Sequence, residues 1–290
     1  MPDISIYQNS PPSLWSLYGK AVLPRGQSAG SDIVIPDLRA RLVGVSTAND
    51  NLDRYRKVCG FSSQASVPIT WPHILAFPLH LKLLTEKTFP LPLLGLVHLR
   101  NTITQHRPIG IGETLDIDVR LGGQKQGSKG LEFDLITEAR SAGRLVWEEN
   151  STTLFRQPQA GGSSGTGQPP ELQRFPNTVN IKAPEFIGRQ YAGVSGDRNP
   201  IHLHALTAKA FGFPRAIAHG MWSKAQALAC LEQQPGWNGT NVTASCQFKK
   251  PLFLPGTAQL NWQAGSGNWD YQLLNAKGDA PHLTGEVSWG

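Results

Sequence analysis

Cysteine is scarce in this chain, and long apolar runs are missing altogether. The 290 residues hold three cysteines, Cys59, Cys230 and Cys246. Their odd number, wide spacing and lack of a C-x-x-C pair argue against both a disulfide framework and a zinc site, and no metal is expected. No apolar stretch approaches the roughly 20 residues that a membrane-crossing helix requires. The opening MPDISIYQNSPPSLW has an early acid and prolines where a secretory signal has a basic start and an apolar core, so a cytoplasmic address is the default expectation. A strong charge bias is missing too. The net charge is +6, but the basic residues are dispersed. The densest runs, Arg54-Tyr55-Arg56-Lys57 and Lys249-Lys250, belong to no DNA- or RNA-binding motif, so nucleic acid is not an expected partner. A mild positive field equally suits a phosphate-bearing small ligand or an acidic carrier protein.

What the chain does have is punctuation. Glycine occurs 30 times and proline 22 times, beside 39% apolar residues, which suits many short elements joined by turns around a core. The stretch QPQAGGSSGTGQPP, residues 157–170, carries no charge and no large apolar side chain. It has nothing to bury against the entropy of ordering and is expected to be a flexible linker. It separates an N-terminal half, 1–156, from a C-terminal half, 171–290.

The halves look related. Tyr55, Val58 and Gly60 match Tyr191, Val194 and Gly196, and His106-Arg107-Pro108 through Thr114 matches Lys249-Lys250-Pro251 through Thr257. Two motifs in the same order at similar separation argue for a duplicated unit. In the C-terminal half, Leu203, Leu206, Ala210 and Phe211 predict a short amphipathic helix. Ile217, Met221, Ala225, Leu228 and Leu231 predict a second, well-buried one ending before Pro235. Period-two alternation then predicts strands at 242–248, 258–262, 269–273 and 283–289. The N-terminal half predicts a helix from Pro72 to Lys87, with Pro78 as a kink or break, and strands near 97–103, 115–121, 131–139 and 145–149. The expectation is α+β: a helix followed by an antiparallel meander, twice.

The chemistry concentrates between Tyr191 and Trp222. Asp197 and His202 lie five residues apart across Arg-Asn-Pro-Ile. Pro200 fixes its own φ and biases Asn199 towards an extended backbone, so a rigid loop can aim both side chains at one pocket. A carboxylate and an imidazole sharing one water can divide general acid and base work near neutral pH. Asn199 is a candidate orienting partner, either for a catalytic side chain or for the loop backbone. Taken singly these residues have plainer readings: Asp-Arg-Asn-Pro is turn chemistry, and a lone histidine is more often structural. The joint pattern with His219-Gly220 is what points to catalysis. His219 itself reads as structural. His204 would pair with His202 on a metal only in a strand, and the segment reads as helical.

The run Ser195-Gly196-Asp197-Arg198-Asn199-Pro200-Ile201-His202, with Ala218-His219-Gly220-Met221 after it, resembles the signature of the (R)-specific enoyl-CoA hydratases, the hydratase-2 domains of peroxisomal multifunctional enzymes and the MaoC-like dehydratases. The chain departs from that pattern at His204, where the family usually has Asp or Asn. The resemblance implies a double hotdog, two repeats of an antiparallel sheet wrapped around a central helix. It also implies reversible hydration of trans-2-enoyl to (3R)-hydroxyacyl thioesters on CoA or acyl carrier protein, without a cofactor. Asp197 and His202 would be the acid/base pair, and the Gly220 N–H the oxyanion donor. A thioesterase on the same fold, or a non-catalytic acyl-thioester-binding subunit, are the alternatives. The N-terminal repeat has Phe61, Ser63 and Ser66 opposite Asp197, Asn199 and His202, so it should be inactive. Its lost loop would leave room for an acyl chain lined by Phe61, Trp71, Leu75 and Phe77. A double hotdog contains internally what single hotdogs reach by pairing, so a monomer or a homodimer both fit.

Overall fold

The computed structural model describes residues 3–21, 33–157 and 172–290. Apart from Gln157, the expected linker lies outside them. In chain order the elements are β1 (Asp3–Gln8), α1 (Leu14–Ala21), β2 (Leu38–Ser46), α2 (Leu52–Cys59), α3 (Trp71–Leu84), β3 (Leu96–Gln105), β4 (Thr114–Gly127), β5 (Gly130–Ser141) and β6 (Arg144–Arg156). After the undescribed segment come β7 (Asn177–Ala183), α4 (Ile187–Ser195), α5 (Pro200–Leu203), α6 (Ala205–Ala210), α7 (Gly220–Leu231), β8 (Val242–Phe248), β9 (Gly256–Ala264), β10 (Asn268–Asn275) and β11 (Pro281–Trp289).

All strands join one 11-stranded sheet in the order β1-β2-β4-β5-β6-β3-β8-β11-β10-β9-β7. Only β1 runs parallel to its neighbour. From β2 inward to β3, and from β7 inward to β8, the order is the same sequence of counterparts, so the sheet reads identically from either side of the β3–β8 seam. Arg100 through Gln105 pair there with Gln247 through Val242. The fold is the expected double hotdog.

The repeated Tyr-x-x-Val motifs form α2 and α4. Each helix stops at a glycine in the left-handed region, Gly60 at φ 82° and Gly196 at φ 80°, a conformation that costs glycine nothing. The two motif tyrosines are buried and pack on each other across the seam, with ring centroids 6.2 Å apart. The Trp222 indole of α7 donates to the Val58 carbonyl of α2, a second tie between halves.

The central helices are buried nearly all round. In α3, Pro78 sits inside the helix without ending it. In α7, Ala225, Ala227 and Ala229 let the backbone approach its neighbours closely. The short amphipathic helix expected through 203–211 is instead broken: His204 is extended at φ −147°, ψ 150° and caps α6, its carbonyl accepting from the Ala208 N–H and the Thr207 hydroxyl. His204 is exposed, so the odd residue of the motif stands clear of the buried His202.

A polar network crosses this apolar core. Lys224 on α7, fully buried, donates to the Asn101 side-chain and backbone oxygens on β3 and, at 2.8 Å, to the Ala244 carbonyl on β8. The Asn101 amide donates onward to Glu149 and Ser151, and Glu149 accepts from His73 of α3 at 2.8 Å. Burial opposes the charge on Glu149, but His73 and the Asn101 amide outweigh it and hold the carboxyl at about 2. Without Lys224 the buried Asn101 side-chain oxygen would lose its donor, and a buried polar group left unsatisfied costs about 1–3 kcal/mol. Lys224→Met is therefore expected to lower unfolding free energy by about that much. A guanidinium unfolding curve that matches the parent protein would contradict the network's role.

Candidate active site

Asp197 stands two residues beyond the end of α4, after Gly196. Its backbone N–H donates to the Ser195 hydroxyl at 3.1 Å, and its carboxylate Oδ1 accepts from the Asn199 N–H at 3.1 Å. Asn199 in turn caps α5, its side-chain oxygen accepting from the Ile201 N–H, and Pro200 takes the first helical position, where a missing N–H is no loss. Asn199 thus orients Asp197 through its backbone and the loop through its side chain. His202 lies in α5 rather than in the loop, and is buried.

The histidine tautomers follow from their partners. His202 Nδ1 donates to the Ile217 carbonyl at 2.8 Å, which leaves Nε2 with its lone pair and no described partner. His219 Nε2 donates to the Asp197 backbone oxygen at 3.0 Å and lies 3.8 Å from the carboxylate Oδ2. Its ring stacks on His202 at 3.8 Å between centroids. One polar atom from each of Asp197, His202 and His219 lies within 4.8 Å of the others. Two ordinary hydrogen bonds span that gap, so a single water can bridge carboxylate and imidazole.

Burial governs the electrostatics. It depresses His202 below 6.5 against the pull of Asp197, and it drives His219 down to about 3. It acts to raise Asp197, but the neighbouring imidazoles and the Asn199 N–H prevail and hold that carboxyl below its usual 3.8. At neutral pH the site is a carboxylate beside two neutral imidazoles. Among the described residues two triads have cation-ligand chemistry, this one and His73, His80 and Glu149. In each, hydrogen bonds already use some of the atoms a metal would need: His219 Nε2 here, and His73 Nδ1, bonded to Glu149, and His80 Nε2, at 2.8 Å from the Thr137 hydroxyl, there.

Gly220 opens α7, so its N–H is among the first-turn donors that a helix leaves without an internal acceptor. A Cβ there would sit 3.0 Å from the Phe248 ring, which explains the glycine. Beside the Asp197 turn lies a cavity of about 260 Å³ between α1, α3 and the end of α4. Of the four expected lining residues, Trp71 and Leu75 border it. Phe77 abuts the turn instead, 3.6 Å from where a Gly196 Cβ would be. Phe61 does not border it: its ring stacks on Tyr55 in the core. The sequence reading missed Leu14, Trp15 and Tyr18 of α1, which form the facing wall. Their apolar spacing marks an amphipathic helix but not the loop it would meet.

Three comparisons bear on this site. Residues 166–278 match the family model described as a MaoC like domain. The chain is 37% identical over 241 residues, 82% of its length, to the 3-hydroxyacyl-thioester dehydratase X of Mycobacterium tuberculosis, covering 84% of that protein. A crystal structure of that protein, HtdX, superposes with a TM-score of 0.75 at 36% identity, over 86% of this chain and 99% of the other. A MaoC-like dehydratase from Phytophthora capsici shares the fold at 20% identity, with a TM-score of 0.72 over 88% of this chain and 95% of that one.

The depressed histidines have a sign. His202 should protonate below pH 6.5 and His219 only near pH 3 in an imidazole NMR titration. Asp197→Asn should lower His202 further, since the carboxylate's charge is what raises it. Both histidines are held neutral in the fold, so the unfolded chain takes up more protons below pH 6.5 and stability falls with acid. A His202 titrating above 6.5 would contradict the burial argument.

Proposed function

The chain belongs to the MaoC-like dehydratase family, and from that premise we propose that Asp197 and His202 are the acid/base pair of its single active site. As a member it is a hydro-lyase, interconverting trans-2-enoyl and (3R)-hydroxyacyl thioesters, on CoA or acyl carrier protein. The observation that carries the residue assignment is that a polar atom of the ionised Asp197 and one of His202 lie within 4.8 Å of each other, beside the N-terminus of α7.

The protonation states shape the mechanism. In hydration, water's oxygen attacks C3 while the pair takes its proton, and the C2–C3 π electrons move towards the thioester carbonyl to give an enolate. The carbonyl oxygen gains charge at that moment. The Gly220 N–H, reinforced by the helix dipole, is the donor placed for it. The enolate then collapses, and its electron pair at C2 takes a proton from the pair. Neither Asp197 nor His202 carries a spare proton at neutral pH, so the one delivered to C2 is the one taken from water. Both bonds form on the face that the pair occupies, in keeping with a 3R product. Dehydration is the reverse.

The N-terminal half, residues 1–156, is a degenerate repeat in this reading. From Phe61 to Ser66 it offers no carboxylate and no imidazole. The cavity bordered by Trp71 and Leu75 takes the acyl chain.

Mixing the protein with a trans-2-enoyl-CoA, and following both the loss of double-bond absorbance and the release of free thiol, separates hydration from thioester hydrolysis and from binding alone. Asp197→Asn and His202→Ala should each lower turnover by about 10²- to 10⁴-fold. Near-parental activity in either variant would remove it from the pair. A non-reactive acyl-CoA analogue should bind at one site per chain. Its affinity should rise about fourfold per added methylene, from about 0.8 kcal/mol each, until the cavity is full. A flat chain-length profile would remove the cavity assignment and leave the acid/base pair standing.

A further inference from the structure

Helix α1 borders the active-site cavity, yet the mechanism above gives it no task. It meets the catalytic turn at close range. The Tyr18 hydroxyl donates to the Gly196 carbonyl at 2.9 Å and accepts from the Arg198 backbone N–H at 2.7 Å. One oxygen atom thereby bridges the residues on either side of Asp197. Leu14 packs so tightly on Gly196 that a Cβ there would lie 2.5 Å from its Cδ1. The exposed Trp15 ring lies 5.0 Å from the guanidinium carbon of Arg198.

We infer that Tyr18 is a positioning residue of this active site, fixing the peptide groups that flank Asp197 so that its carboxylate faces the water shared with His202. The inference rests on Asp197 and His202 being the acid/base pair.

The physical case lies in what else holds the turn. Gly196 has no side chain to restrict its backbone and sits in the left-handed region. The Asp197 side chain is 30% exposed and gains no packing comparable to that of His202. Local bonds to Ser195 and from Asn199 set the shape of the turn, but both partners belong to the same short segment and move with it. From outside the segment, His219 holds the Asp197 carbonyl at 3.0 Å, and Tyr18, reaching across 178 residues of sequence to Gly196, holds the peptide groups on either side of it. Burial, and then the Asp197 charge, hold its phenol pKa well above 10, so the hydroxyl keeps the proton that it donates. Without that oxygen the Gly196 and Arg198 peptides would turn to water, and of the three peptide groups only the Asp197 carbonyl, bonded to His219, would keep a tie to a distant element. Misplacement by about 1 Å in a catalytic group can cost about 10²-fold in rate.

Tyr18→Phe keeps the ring that lines the cavity and removes only the bridging oxygen. On a trans-2-enoyl-CoA, kcat is expected to fall about 10- to 100-fold while KM changes by less than about threefold. The thermal midpoint should stay at the parental value. A Tyr18→Phe variant with parental kcat would overturn the inference. So would a kcat loss that tracks a lowered midpoint or a loss of folded protein, since that assigns Tyr18 to stability alone. Parental protein inactive on every enoyl thioester would instead strike the hydratase reading and take this inference with it, so the two failures are told apart by the parental assay.

Discussion

The structure hangs on one buried bond set at the seam between its halves, the Lys224 ammonium held by Asn101 and the Ala244 carbonyl, with Glu149 and His73 beyond. Antiparallel pairing of β3 and β8 tolerates register slips in principle, because backbone hydrogen bonds repeat along a strand. Lys224 does not tolerate them. Its three acceptors lie on both strands at the seam, so a shift of either would leave a buried ammonium short of partners. The same side chain anchors α7 along its axis. Gly220 and His219 at the head of that helix are thereby fixed relative to the seam, and His73 carries the constraint into α3. Buried charge is a poor source of net stability but a strict geometric specification.

The proposed acid/base pair then inherits a positioned environment in which His202 is buried. Burial is an acid–base instrument as much as a packing result. It keeps His202 and His219 neutral, and neutrality lets them stack face to face at 3.8 Å, an arrangement that two imidazolium ions would resist. Burial would raise the pKa of Asp197, but the His219 and His202 imidazoles and the Asn199 N–H outweigh it and keep the carboxylate ionised. The site therefore needs no outside charge to hold a base and an anion side by side at pH 7.

The sequence shows most clearly what is local. Alternation predicts β8 to β11 nearly to their ends, and the Asp-Arg-Asn-Pro-Ile-His run points to a constrained turn because proline and Asx chemistry act within a few residues. The buried α7 is legible from its apolar periodicity. What escaped depends on distant partners. The amphipathic pattern of Leu14, Trp15 and Tyr18 says that α1 has a buried face and nothing about Gly196 as the surface it meets. The break at His204 contradicts helical periodicity, because its backbone is extended at φ −147°, ψ 150° and leaves the helical path between α5 and α6. Phe61 reads as cavity lining from its aligned position, but Tyr55 offers it a stacked seat in the core.

The pairing of motifs that misplaces Phe61 also shows how differently the two related loops are held. Offsetting Tyr55 onto Tyr191 sets Arg56 opposite Ala192. Ala192 borders the cavity beside the Asp197 turn. Arg56 is buried, and its guanidinium donates to the Ser66 carbonyl at 2.9 Å and pairs with Asp53. In the N-terminal repeat a long cation thus ties down the loop whose counterpart carries Asp197. It binds that loop by the carbonyl of Ser66, the residue aligned with His202. A cavity of about 230 Å³ nevertheless lies beside that loop, bordered by Ser62, Ser63, Ser66 and Glu232, so lack of space does not separate the two halves. What separates them is the chemistry the loops carry, because Phe61, Ser63 and Ser66 offer no base where the counterpart has a carboxylate and an imidazole.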